Sequence, residues 1–244
     1  MGVSMFQGLF SISEADKNTA VESIIQHATP RKDFFLMLVL SISMAAFGVL
    51  LNSTVILVGS MLVAPLLYPL LSLSLGVIIA DHKVISQSVV TITKSIIYGL
   101  IAGVVIGFFF SGHDPASMPL FTTIGDASSL MYAIVAVIAG LAGAFAVTKP
   151  HLTETIPGVA ISVALVPPLS AAGIALALFD WRVFSSALLL FFVNVIGIVF
   201  SSMVVFALMR LSVKRTVARE AFKQEEKAIK QEEKPPEATH TAHV

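Results

Sequence analysis

The sequence predicts an all-α membrane protein with six transmembrane helices, arranged as two inverted-topology three-helix repeats with proline-broken helices 2 and 5. Three observations support this. The 244-residue chain is 56 % hydrophobic and 12 % charged, whereas soluble domains carry about 25 % charged residues. Two long apolar runs have prolines near their centres. These two runs match each other without a gap at an offset of 99 positions.

Six apolar segments are long enough to cross a bilayer, which takes about 20 residues. They cover residues 34–51, 54–80, 87–110, 130–148, 155–179 and 184–209. The very short linkers after the first two spans predict antiparallel neighbours. We divide the chain into a cytoplasmic N-terminal segment with a short amphipathic helix (1–33), a first three-helix repeat (34–110), an external loop (111–129), a second three-helix repeat (130–210) and a charged cytoplasmic tail (211–244).

An internal repeat is indicated by aligning residues 54–89 with residues 153–188, which gives eight identities in 36 positions. The identical pairs include two prolines and two aspartates: Pro69 with Pro168, and Asp81 with Asp180. Because each repeat contains three spans, an odd number, the second repeat must enter the membrane from the opposite side. The sequence therefore predicts an inverted repeat.

The orientation follows from the placement of lysine and arginine, which favour cytoplasmic segments. With both termini inside, the inner segments hold eight basic residues: Arg31, Lys32, Lys83, Lys149, Arg210, Lys214, Arg215 and Arg219. The outer segments hold Arg182 beside three aspartates. We therefore expect a multi-pass protein of the cell (inner or plasma) membrane with both termini cytoplasmic.

Prolines in the second and fifth spans are the main candidates for a substrate site. Proline lacks an amide hydrogen, so Pro65 and Pro69, and likewise Pro167 and Pro168, leave carbonyl groups without their helical partner. Each break falls near the middle of its span, and Tyr68 lies within the first one. Unpaired backbone at membrane depth is tolerated against protein or water, and matched broken helices in inverted halves mark transporter sites. Packing kinks are the alternative.

Polar residues in spans three and six add to the predicted site. Ser95 and Asn194 are 99 positions apart and so are repeat equivalents. We expect them, with Lys94, to face a polar cavity that favours an anion or a zwitterion. Asn194 could instead hydrogen-bond a neighbouring helix, and Lys94 could extend to the cytoplasmic surface.

Enzyme chemistry is not expected. The chain has no cysteine, none of the common catalytic or nucleotide-binding motifs, and one ionisable candidate within the spans, Lys94. We expect no cofactor, no metal and no nucleic-acid partner. Gly99, Gly103 and Gly107 favour close helix packing, and the short spans favour a homo-oligomer in the lipid bilayer.

The predicted function is an integral membrane transporter or channel for a small ion or polar solute, with its pathway at the proline breaks between the repeats. The alternative is a non-transporting scaffold or sensor that acts through the charged run from Lys214 to Lys234. A thin apolar stripe in that run predicts a solvated helix near the membrane surface.

Parts of the apolar spans resemble a bacterial and archaeal family of multi-pass proteins catalogued as an uncharacterised hydrophobic domain of unknown function. The matching stretches are Ala46 to Pro69, Pro157 to Pro168 and Leu190 to Asn194, within residues 30 to 210. This chain has Leu66-Leu67-Tyr68-Pro69 where the family pattern is richer in glycine. The resemblance implies a membrane fold and supplies no substrate.

Overall fold

The computed structural model describes residues 13–110, 119–125, 129–149 and 155–232, and these form helices and turns without strands. The helices are α1 (Glu14–Ala28), α2 (Lys32–Leu50), α3 (Thr54–Val63), α4 (Leu67–Ile78), α5 (His82–Phe110), α6 (Pro119–Gly125), α7 (Ser129–Val147), α8 (Thr155–Ala177), α9 (Trp181–Leu208) and α10 (Arg215–Glu232). A 3-10 turn, Leu211–Lys214, joins α9 to α10.

Several of these helices could cross a membrane. Helices α2, α5 and α9 and residues Leu130–Val147 of α7 are long and apolar enough. The pair α3 and α4 meets the same standard as one span bent by 52°. The fifth predicted span corresponds to α8, whose described side chains are those of the shorter apolar stretch Ala164–Ala177. The number of six spans therefore stays a prediction. The structure is consistent with a membrane protein that has several membrane-spanning helices.

The prediction that helix 5 is broken is wrong. Helix α8 continues through Pro167 and Pro168. The carbonyl that Pro168 leaves without an amide partner is that of Ala164, four residues earlier. Asn194 Nδ2 in α9 donates to this oxygen at 2.6 Å. A side-chain donor thus replaces the backbone donor that Pro168 lacks, and α8 continues through both prolines.

The break in helix 2 is confirmed. Residues 64–66 separate α3 from α4, and Ala64 is extended, with φ −71° and ψ 121°, as expected for a residue before proline. Pro69 lies at the third position of α4. Because amides in the first turn have no intrahelical partner, Pro69 costs α4 no hydrogen bond. Pro65 is therefore the residue at the break.

Small residues bring α5 and α8 into backbone contact. Gly99 lies beside Leu169, Gly103 beside Gly173, and Gly107 beside Ala177, so the two helices run parallel. A Cβ added to Gly103 would lie 2.8 Å from the Gly173 Cα. The predicted close packing of this glycine series is confirmed, and α8 is its partner.

The two aspartate corners of the repeat have the same backbone geometry. Ala80 and Phe179, which precede the aspartates, have φ of 51° and 57°. The Asp81 amide donates to Gly76 at 3.0 Å, and the Asp180 amide donates to Ala175 at 2.9 Å. These backbone bonds therefore recur in the two corners at an offset of 99 positions.

These corners lie at opposite ends of the molecule. Asp180 caps the start of α9. Asp81 instead contacts Arg219 of α10, at 2.6 Å, and α10 follows the other end of α9. Since α9 has 28 residues, it is about 42 Å long. We refer to the two ends of the molecule as the Asp180 end and the α10 end.

Helix α1 also lies at the α10 end. Its buried face, Val21, Ile24, Ile25 and Ala28, packs on α4 and α10. Ion pairs join Lys214 to Glu14 at 2.7 Å and Arg31 to Glu225 at 3.0 Å. The segments that precede and follow the apolar helices thus form one helical layer at this end.

Candidate functional site

The break between α3 and α4 opens onto a cavity of about 380 Å³. The broken span contributes Val63 and Pro65, and the remaining wall comes from α1, α2 and the linker between them: Gln26, His27, Thr29, Arg31, Asp33, Phe34 and Met37. We call this space the break cavity. Most of its polar lining comes from α1 and the linker, with Asp33 from the start of α2, and its apolar lining comes from the membrane helices.

Helix α1 is held against the break by an aromatic contact. The His27 ring stacks on Tyr68 with centroids 4.7 Å apart and planes 25° apart. His27 Nδ1 lies 2.9 Å from the Ser23 carbonyl oxygen. A carbonyl can only accept, so Nδ1 carries the hydrogen of this bond. The contact fixes the imidazole beside the first residues of α4.

The α3 side of the break is hydrogen-bonded to α2. Ser41 Oγ donates to the carbonyl of Ser60 at 2.7 Å, and both serines are fully buried. This bond lies in the last turn of α3, where carbonyl groups run out of helical partners. The bend therefore has a fixed position relative to α2, which forms another wall of the break cavity.

The structure brings only part of the predicted site together. Pro65 lines the break cavity, Tyr68 touches His27, and Pro69 is buried in α4. Pro167 and Pro168 lie within α8. The remaining predicted residues, Lys94, Ser95 and Asn194, do not line this cavity.

Ser95 and Asn194 make different bonds although the repeat makes them equivalent. Ser95 is buried, and its Oγ donates to Thr91 within α5 at 2.8 Å. Asn194 is fully buried and joins α9 to α8, while its Oδ1 has no partner among the described atoms. Asn194 is thus a helix-to-helix hydrogen-bonding residue in this structure.

Lys94 lies on a different face of α5 from Ser95. Its side chain is exposed, as are Ile97, Tyr98 and Ile101 further along the same helix. The buried face of α5, which includes Ser95 and Gly99, packs against the other membrane helices. Lys94 therefore points away from the helix-packing interior of the molecule.

Sequence reasoning missed the contribution of α1 to the site. The amphipathic pattern of α1 is consistent with its buried face, but no feature of the pattern identifies its neighbour. His27 and Gln26 lie on the exposed side of α1, and only the packing of α1 on α4 brings them to the break. Among the residues that the structure describes, no group of three or more histidine or acidic side chains could hold a metal ion.

The Asp81 corner forms the second polar cluster. Asp81 is 2 % exposed, and its carboxylate accepts from Arg219 Nε at 2.6 Å and from the Lys83 amide at 3.0 Å. Burial alone would raise the pKa of Asp81, but the hydrogen bonds from Arg219 and Lys83 and the charge of Arg219 lower that pKa below its ordinary value. Asp81 is therefore ionised and paired at neutral pH.

Comparison with known proteins identifies the family. A family model described as a domain of unknown function (DUF389) matches residues 61–200. The chain belongs to this family. It is similar to the uncharacterized protein MJ0678 of Methanocaldococcus jannaschii, with 33 % identity over 178 residues. The alignment covers 72 % of this chain and 54 % of that protein, so the chain matches about half of its relative's length. No solved structure matches the chain.

Proposed function

We propose that the protein is an integral membrane transporter or channel for a small ion or polar solute, and that its pathway passes the break between α3 and α4. The observation that supports this most directly is the break cavity. An interrupted helix at membrane depth is tolerated where its backbone lines water or is covered by protein. Here the interruption opens onto polar and charged side chains.

The placement of the Asp81 and Asp180 corners supports an inverted repeat. The two aspartates pair at the repeat offset in the sequence, and their corners lie at opposite ends of α9. In transporters with inverted repeats, substrate sites lie where broken helices meet the other half. Helix α3 packs against α8 of the second half, so the proposed pathway runs beside this contact.

Charge distribution supports the proposed orientation and membrane. Lys17, Arg31, Lys83, Lys214 and Arg215 all lie in or beside the layer at the α10 end. Since basic residues favour the cytoplasmic side, this end faces the cytoplasm in the proposal. The break cavity, which α1 lines, is then entered from the cytoplasm.

A pair of adjacent cysteine variants tests the pathway, because the chain has no cysteine of its own. Val63→Cys places a thiol on the break cavity, whereas Leu62→Cys places one on the exposed outer face of α3, where Leu62 is 62 % exposed. A charged, water-soluble thiol reagent should modify Val63→Cys and leave Leu62→Cys, in lipid, unmodified. Liposomes would be assayed for flux of chloride, phosphate and glycine.

The expected result is that modification of Val63→Cys blocks a flux that Leu62→Cys retains. A protein that conducts none of the tested solutes, together with an unmodified Val63→Cys, would overturn the proposal. The proline kink would then be only a packing feature.

The tail helix supports a second candidate function, a membrane scaffold or sensor. Helix α10 is tied to the membrane helices through Asp81, and its Glu225 pairs with Arg31 in the linker between α1 and α2, while Glu220, Lys223 and Lys227 remain exposed. Removing residues 215–244 separates the two candidates. A scaffold loses its function with the tail, whereas a transporter retains solute flux.

A further inference from the structure

A second cavity, of about 340 Å³, lies at the α10 end between the α4–α5 corner and α10. Its lining contains four lysine or arginine side chains, two carboxylates, a histidine and two apolar residues: Asp81, His82, Lys83, Val84, Arg215, Arg219, Phe222, Lys223 and Glu226. We call it the corner cavity. It shares no lining residue with the break cavity.

The negative charge of Asp81 is already satisfied inside the protein. Its carboxylate is bound by Arg219 at 2.6 Å and lies 3.7 Å from Arg215. Lys83 and Lys223 are exposed, and neither ammonium group has an ion-pair partner among the described residues. They approach the cavity from different elements, the start of α5 and the middle of α10. The cavity therefore presents two available cations to a ligand.

An apolar surface continues from the corner cavity along α5. Val89 and Val90 are each 46 % exposed, and Val90 lies two helical turns after Lys83 on the same face. Phe222 adds an apolar surface within the cavity. A ligand that fits this arrangement has an anionic head beside the lysines and a hydrocarbon part beside the valines.

We propose that the corner cavity binds a phosphate ester through Lys83 and Lys223, supplied by the headgroup of an anionic phospholipid. Basic pockets at the cytoplasmic ends of membrane helices recognise such headgroups, with each lysine contributing to the affinity. The volume suits a glycerophosphate group, and the acyl chains would lie along the exposed valines of α5. This site is independent of the proposed pathway.

The test uses the purified full chain in an uncharged detergent, with phosphatidylglycerol as the probe and native mass spectrometry as the readout. Phosphatidylcholine controls for a headgroup with no net charge, and glycerol 1-phosphate controls for a soluble phosphate ester. The double variant Lys83→Gln with Lys223→Gln removes both cavity ammonium groups. The matched control, Lys32→Gln with Lys227→Gln, removes the same charge from exposed positions outside the cavity.

The expected result is a loss of about tenfold or more in phosphatidylglycerol affinity for the cavity variant, and a change of less than about twofold for the control. Equal losses in both variants, or equal binding of phosphatidylcholine, would overturn the site. If glycerol 1-phosphate binds as tightly as the lipid and depends on the same two lysines, the phosphate site stands, but its lipid source is wrong.

Discussion

Asn194 donates from Nδ2 to the carbonyl of Ala164, the group that Pro168 leaves without an amide partner. The bond joins the centre of α9 to α8 just before the two prolines. It compensates for the amide that Pro168 lacks, and α8 continues through the Pro-Pro pair, whereas the span of the first repeat breaks at Pro65. Ser95 lies at the equivalent position of the first repeat, and its hydroxyl donates to the Thr91 carbonyl within α5.

Replacing Asn194 by leucine should therefore destabilise the contact between α8 and α9. The Ala164 carbonyl would be left unpaired in an apolar interior, and we expect a loss of about 1–2 kcal/mol in the free energy of unfolding. Titration of the detergent-solubilised protein with a denaturing detergent measures this loss.

Ser95→Ala is the matched control at the repeat position. Its Oγ bonds to a carbonyl that already accepts a helical amide, so its removal should cost less than about 0.5 kcal/mol. If the two variants are equally stable, the Asn194 bond does not support α8. Loss of solute flux in Asn194→Leu without loss of stability would instead return Asn194 to the pathway.

The fate of each proline depends on its neighbours, and this limits what the sequence can predict. The apolar runs, the break at Pro65 and the repeat corners follow from local properties, namely hydrophobic length, the missing amide and the Asp81 and Asp180 signals. Whether Pro168 breaks its helix depends on a donor 26 positions later, at Asn194. Composition and spacing do not contain that contact.

The candidate site also combines features that the local sequence predicts with features that depend on long-range packing. Pro65 and Tyr68 were predicted from the span in which they lie, but His27 reaches them only because α1 folds back onto α4. Lys94 is polar in an apolar span, which marks it as unusual, yet the pattern does not say which face of α5 becomes the interior. Long-range packing decides both points.

Gly103→Ala should weaken the packing of α5 on α8. The new Cβ would lie 2.8 Å from the Gly173 Cα and 3.2 Å from the Ser170 carbonyl oxygen. Because both are backbone atoms, the helices must move apart, and overpacking of this kind costs about 1–3 kcal/mol. The measurement is the free energy of unfolding in detergent.

Gly59→Ala is the control for this substitution. Its Cβ would meet only the flexible end of Met44, at 3.9 Å. We expect a change between zero and a gain of about 1 kcal/mol, because alanine favours the helix over glycine. Similar losses in the two variants would contradict direct backbone contact between α5 and α8.

Single cysteines test the proposed orientation. With both termini cytoplasmic, a membrane-impermeant thiol reagent applied to intact cells should label cysteines at Gly112 and Ser117, which belong to the predicted external loop outside the described residues. Cysteines at Gln26 and Ala228 should react only after the cells are opened. The reverse pattern would invert the orientation and would place the break cavity on the outer side of the membrane.

The ion pair between Asp81 and Arg219 should make the docking of α10 depend on acidity. The lowered pKa of Asp81 means that the pair stabilises docking fully above the ordinary aspartate pKa of about 3.9. This stabilisation is lost as the pH falls from that value through the lower pKa of the folded protein. Hydrogen bonds from Lys17 and Lys214 lower the pKa of Glu14 to about 2. The stabilisation from these Glu14 ion pairs is therefore also lost as the pH falls.

A spin label attached through Lys227→Cys reports the mobility of α10. We expect constant mobility from about pH 8 to 5 and a rise as the pH falls from about 3.9 through the lower pKa that Asp81 has in the folded protein. Asp81→Asn in the same labelled background should raise the mobility already at neutral pH, because the neutral amide loses the charge-assisted bond to Arg219.

Asp180→Asn is the matched control, since Asp180 occupies the equivalent corner at the far end of α9 and caps that helix without contacting α10. Equal mobility in the two variants would mean that packing on α1, and not the Asp81 corner, holds the tail helix in place.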